Sequence, residues 1–121
     1  MIYTTYFHKI GKLPDNCIKL IVTRFPPKWL DINKYPNTLI VKGLSPSKEL
    51  LLNYKEDNDW EKFVEGFKYE MKHREDMVEF LEEICKILNK EVDICFICYE
   101  KDYEHCHRSL LARHFEEMGY E

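Results

Sequence analysis

Apolar positions along the chain keep two different rhythms. In "CIKLIVT" and "NTLIVKGL" the apolar and β-branched residues run together over short stretches, which predicts two strands. The first ends at "RFPPKWL", where Pro26 and Pro27 forbid a regular continuation, and the second at Gly43 and Pro46. From Trp60 the spacing becomes helical. Trp60, Phe63, Val64, Phe67 and Met71 share one face, and Met77, Phe80, Leu81, Ile84 and Leu88 share another. "KHRED" interrupts the stripe, and Asp76 followed by Glu79 resembles a helix start, so two helices are predicted rather than one. "VDICFIC" is the least polar strand and predicts a position covered on both faces, as in a parallel sheet. Leu110, Leu111, His114, Phe115 and Met118 give a last helix, stopped by Gly119.

Strands alternating with helices make the chain α/β, a single layered domain over residues 1–121 with a mainly parallel sheet flanked by helices. Composition supports this: 121 residues, 45% apolar and 33% charged, are ordinary globular chemistry. A net charge of −4 provides no broad positive field for a nucleic-acid backbone, but it permits a local basic pocket for a small anion. No apolar run approaches the ~20 residues of a membrane helix. "MIYTTYFHKI" lacks the basic start and apolar core of a signal peptide, so a cytoplasmic location is expected. Five cysteines fit a reducing compartment better than a disulfide framework. Cys85 and Cys95 read as core filler, and Trp29 as packed against its own fold.

The stretch "ICFICYEKDYEHCHRSLLARHF" carries the chemistry. Ligands in open α/β sheets bind outside the carboxyl ends of the strands, which points to this junction and, more weakly, to "TRFPP". If the last helix begins near Cys106, His107 and Arg108 lie in its first turn, where free N–H groups favour negative charge. A guanidinium converging with such amides is a ready anion site. The competing structural reading pairs Arg108 with Glu100 inside the protein. Cys106 at a helix N-terminus beside two potential cations should have a lowered thiol pKa, making a nucleophilic thiolate plausible, whereas Cys98 reads as buried. An equally open alternative makes Cys106 simply a small residue in a tight turn. A phosphatase loop, Cys followed six residues later by Arg, is absent. Zinc on Cys98, His105, Cys106 or His107 is the rival, although no second separated cysteine pair accompanies it and adjacent ligands would strain the site.

The pattern Cys98-x-Glu100, five residues, then Cys106-His107-Arg108 resembles the signature of the prokaryotic domain of unknown function 488 family, in particular its short members. "YTTYF" with "KLP", "LSPS" and "NYKEDNDWEKF" are similar to that family's opening and middle, and Arg24 with Pro27 to its Arg-x-x-Pro. Val22 stands where longer members often carry an acid. The resemblance implies a compact α/β sandwich, with Arg24 and Arg108 approaching each other at the carboxyl ends of neighbouring strands.

The expected function is binding of, or action on, a small phosphate- or nucleotide-like anion. Arg108, Arg24 and Cys98 would contact the ligand, Cys106 would be the nucleophile and His107 the proton carrier, and Glu100 would orient an arginine or act as acid or base. A non-catalytic ligand sensor or protein-docking module, and the zinc site, are the alternatives. No cofactor is read from the chain.

Overall fold

Five consecutive buried residues, Ile94–Cys98, form the strand around which everything else is arranged. The computed structural model describes residues 2–23, 26–98 and 106–120. Among them are four strands, β1 (Ile2–Tyr6), β2 (Ile18–Ile21), β3 (Thr38–Ile40) and β4 (Ile94–Cys98), and four α-helices, α1 (Lys48–Asp57), α2 (Trp60–His73), α3 (Glu75–Leu88) and α4 (His107–Glu117). The strands pair in parallel in the order β1-β4-β2-β3, giving the mixed α/β architecture expected. Tyr6 of β1 lies opposite Cys98, and Ile21 of β2 opposite Ile97, so both neighbours of β4 end level with it.

Alternation along the strands sorts side chains between two cores. Leu20, Val22, Ile94, Phe96 and Cys98 join α2, α3 and α4 through Phe67, Met77, Leu81, Leu111 and Phe115. On the other face, Ile21, Cys95 and Ile97 meet Phe7, Ile10 and Cys17, with Leu30, Ile32 and Tyr35 packed around them. Phe7 and Ile10 belong to a 3₁₀ segment, Phe7–Lys12, so this face is covered by short turns rather than by α-helices. β4 is therefore apolar throughout because it is buried on both sides, as predicted. Lys19, almost wholly buried, donates from Nζ to the carbonyls of Pro14, Cys17 and Pro36, which satisfies all three of its ammonium protons.

The break between α2 and α3 falls at Arg74, whose extended backbone ends one helix and starts the next. Its guanidinium donates to the carbonyls of Gly43 and Ser45 and to Glu70 and Asp76. Glu70 in turn accepts from the backbone N–H and hydroxyl of Ser47, the residue that caps α1. One polar cluster thus pins the "LSPS" turn to the helical corner. Asp76, expected to open α3, instead lies inside it and pairs with Arg74; the helix starts at Glu75. Cys85 is half-buried rather than core, and Trp29 packs against its own fold through Phe7 and His8 as expected, with its outer side left 59% exposed. No helix among the described residues is long and apolar enough to cross a membrane.

Candidate functional site at the carboxyl end of β4

α4 begins where the sequence places it. Cys106 is its N-cap, in extended conformation, and His107 and Arg108 occupy the first turn, which holds no acidic residue. Cys106 provides no side-chain cap of its own; instead Ser109 donates from both its N–H and its hydroxyl to the Cys106 carbonyl, at 3.0 and 2.7 Å. These contacts tighten the turn and hold Cys106 Sγ toward β4.

There it meets Cys98. The two sulfurs are joined as a disulfide, while Cys17, Cys85 and Cys95 are free. The expectation of a free Cys106 thiolate therefore applies to the reduced protein: the two cysteines are eight positions apart in sequence, and the end of β4 and the start of α4 bring their sulfurs together. In the bonded form neither sulfur is a nucleophile, so any thiolate chemistry belongs to the reduced protein.

Arg108 is 3% exposed, and its Nη1 donates to Cys98 Sγ at 3.5 Å. The guanidinium therefore favours negative charge on the Cys98 sulfur more directly than on Cys106. His107 approaches from the other side. Its Nε2 lies 2.6 Å from the carbonyl oxygen of Val22, just past the end of β2, and its ring packs edge-on against Phe67. A carbonyl only accepts, so Nε2 carries the proton and Nδ1 presents a lone pair. Burial pushes the imidazole down to about 4; the Val22 contact opposes this, and the Arg108 charge adds to it. At neutral pH the described residues of the site thus bring a cation, Arg108, next to a neutral base. Thr23, next in the chain, is 8% exposed, and its hydroxyl makes no hydrogen bond among the described residues.

In the sequence Val22 stands out only as the absence of an acid. Its contribution is a backbone carbonyl, which no side-chain pattern announces. The remaining cysteines do not join the site: burial raises the thiol pKa of Cys17, and pushes that of Cys95 up to about 12. Cys98, Cys106, His107 and Arg108 are brought together; Arg24, Glu100 and His105 lie outside the described residues. Cys98 Sγ, Cys106 Sγ and a ring nitrogen of His107 lie within 4.8 Å of one another, so in the reduced state they are also the residues that would hold a metal ion.

No curated protein and no solved structure matches the chain. A family model described as "Active DUF488-N3 subclade" matches residues 2–119, and with the Cys98 and Cys106-His107-Arg108 pattern closing β4 and opening α4, the chain belongs to the domain of unknown function 488 family.

Proposed function

We propose that the chain is a prokaryotic cytoplasmic enzyme acting on a small phosphate- or nucleotide-like anion at the carboxyl end of β4, with Cys106, in its reduced form, as the reacting thiol. The observation that carries this reading is the convergence of a paired thiol, a neutral imidazole and a buried guanidinium on one helix start. The start of a helix favours negative charge through the partial positive charge of its first N–H groups, and Arg108 adds to that attraction. His107, held by Val22, is oriented to take up a proton at Nδ1. Arg24 and Glu100 would complete the site as a second anion contact and as a carboxylate that orients an arginine or works as acid or base. The description of the matching subclade as active agrees with catalysis. A reducing cytoplasm would keep the Cys98–Cys106 pair open for turnover.

The test is a thermal-shift titration of the reduced protein with inorganic phosphate, sulfate and AMP. Stabilisation is expected for the wild type, retained in Cys106→Ser and reduced in Arg108→Lys, because lysine cannot reproduce a forked contact. If none of the three anions shifts the wild type, the reading fails.

A zinc site is the second reading, favoured by the 4.8 Å grouping of two sulfurs and an imidazole nitrogen. The donor set suits a soft divalent ion, and an imidazole whose other nitrogen donates to a backbone carbonyl is oriented as metal-bound histidines are. Dialysis of the reduced protein against zinc would leave about one equivalent bound, lost in Cys98→Ser. No retained metal would remove this alternative.

A further inference from the structure

The cysteine pair that joins β4 to α4 has two unlike ends. Both sulfurs belong to the same core and are almost wholly buried, but they differ in the charge and the support around them. Cys98 closes the central strand, with Tyr6 of β1 beside it in register and β2 on its other side. Its Sγ accepts a hydrogen bond from Arg108 Nη1 at 3.5 Å. Cys106 is the N-cap of α4, and its side chain makes no capping bond to the N–H groups of the first turn. A ring nitrogen of His107 lies within 4.8 Å of both sulfurs, but the ring is neutral at neutral pH and offers positive charge to neither.

Thiol–disulfide exchange turns on that difference. An incoming thiolate bonds to one sulfur and the other departs with the electron pair, and the sulfur whose negative charge is better stabilised departs faster. A charged donor in contact with Cys98 Sγ makes Cys98 the leaving sulfur. Access selects in the same direction, because the end of a helix opens at lower cost than the middle strand of a sheet.

We infer that Cys98 and Cys106 are a working dithiol–disulfide couple that exchanges with a small thiol such as glutathione, with Cys106 Sγ the atom attacked and Cys98 Sγ the atom released toward Arg108. In the first step the donor thiolate bonds to Cys106 Sγ, the Cys98–Cys106 bond breaks, and its electron pair stays on Cys98. In the second step another donor thiolate attacks the donor sulfur of that mixed disulfide, and the electron pair of the broken bond returns to Cys106. Two donor thiolates are thereby oxidised to one disulfide, the protein pair is reduced by two electrons, and charge is conserved in each step. The inference stands apart from the anion-site reading, since it requires no phosphate. Where both hold, oxidation withdraws Cys106 from the site and a reducing thiol pool restores it.

The test mixes the oxidised, folded protein with excess reduced glutathione and quenches samples in acid after short intervals. Peptide mass then shows which cysteine carries glutathione. The adduct is expected on Cys106 in about ten-fold or greater excess over Cys98. In Arg108→Gln that preference should shrink and reduction should slow on the order of ten-fold, with Arg108→Lys restoring much of both. The position of the adduct in the unaltered protein decides the matter even if Arg108→Gln does not fold. An adduct chiefly on Cys98, or divided equally between the two, would overturn the assignment, as would an unchanged preference in a folded Arg108→Gln. A pair that glutathione reduces only in denaturant would also overturn it, because that is the behaviour of a purely structural crosslink. Failure of phosphate or AMP to bind would leave this result untouched.

Discussion

Arg108 Nη1 donates to Cys98 Sγ across 3.5 Å, so the buried cation of α4 touches the sulfur that ends the central strand. A guanidinium in that place stabilises a thiolate, and the residue beside it in the chain, His107, is kept neutral partly by the same charge. The cysteine pair follows from this as a first prediction. A non-reducing digest should yield one linked peptide pair, joining the Cys98 and Cys106 fragments. Iodoacetamide added to the oxidised native protein should label Cys85, and leave Cys17 and Cys95 protected by burial. After mild reduction Cys98 and Cys106 should become labelled as well. Labelling of Cys106 without prior reduction would show that the pair is not bonded.

His107 makes stability depend on acid. Its folded value lies near 4 against an ordinary 6.5, so between these pH values the unfolded chain binds the proton and the folded chain does not. Stability contributed by the neutral ring is therefore complete above about pH 6.5, falls as pH drops toward 4, and changes little below that. The full loss is of order 3 kcal/mol, from about 1.4 kcal/mol for each unit of pKa difference. His107→Gln, which can still donate to the Val22 carbonyl, should flatten denaturant midpoints measured from pH 7 to 4. An unchanged slope would place the acid sensitivity elsewhere, with half-buried His114, lowered by burial in the same direction, as the next suspect.

Much of this arrangement can be read from the residues, and what cannot has identifiable causes. β4 is legible because five neighbours in a row are buried, and the α2–α3 break because "KHRED" interrupts an otherwise helical stripe. β1 is not, since "IYTTY" is half-buried along an edge and its threonines blur the apolar run. α1 is missed for a related reason: "KELLLNYKED" has no buried residue and only a weak apolar face. At the site, the start of α4 shows in the order Cys106-His107-Arg108. The Cys98–Cys106 bond does not, because an odd number of cysteines argues for thiols and spacing alone cannot say which side chains face each other. The acceptor for His107 is backbone, and the exposure of Trp29 depends on how two loops meet.

The corner at Arg74 should be among the costliest polar positions to disturb. Glu70 accepts from Ser47 and Arg74, and both charged side chains are largely shielded, at 15% and 21% exposure. Glu70→Ala would leave Arg74 and the Ser47 N–H short of an acceptor. We expect a loss of roughly 2–3 kcal/mol in chemical denaturation, with Glu70→Gln less severe. A change under about 0.5 kcal/mol would show that water replaces these contacts freely.

Glu91 offers a change in the opposite direction. It adopts φ +61° in the turn leading into β4, a left-handed conformation that is unfavourable for a side chain of this kind. Asparagine tolerates that region, as Asn37 and Asn58 do in this chain. Glu91→Asn should stabilise the fold by up to about 1 kcal/mol, seen as a higher melting temperature. A lower one would mean that the Glu91 side chain contributes more than its backbone costs.

The most direct measurement of the central claim needs no substitution. The reduced protein is treated with iodoacetamide in the presence of increasing phosphate or AMP, and the alkylation of each cysteine is followed by peptide mass. A ligand held by Arg108 and the first turn of α4 should slow modification of Cys106 in a saturable manner while leaving half-buried Cys85 unaffected. Alkylation of Cys106 at one constant rate, whatever the concentration of either anion, would contradict it.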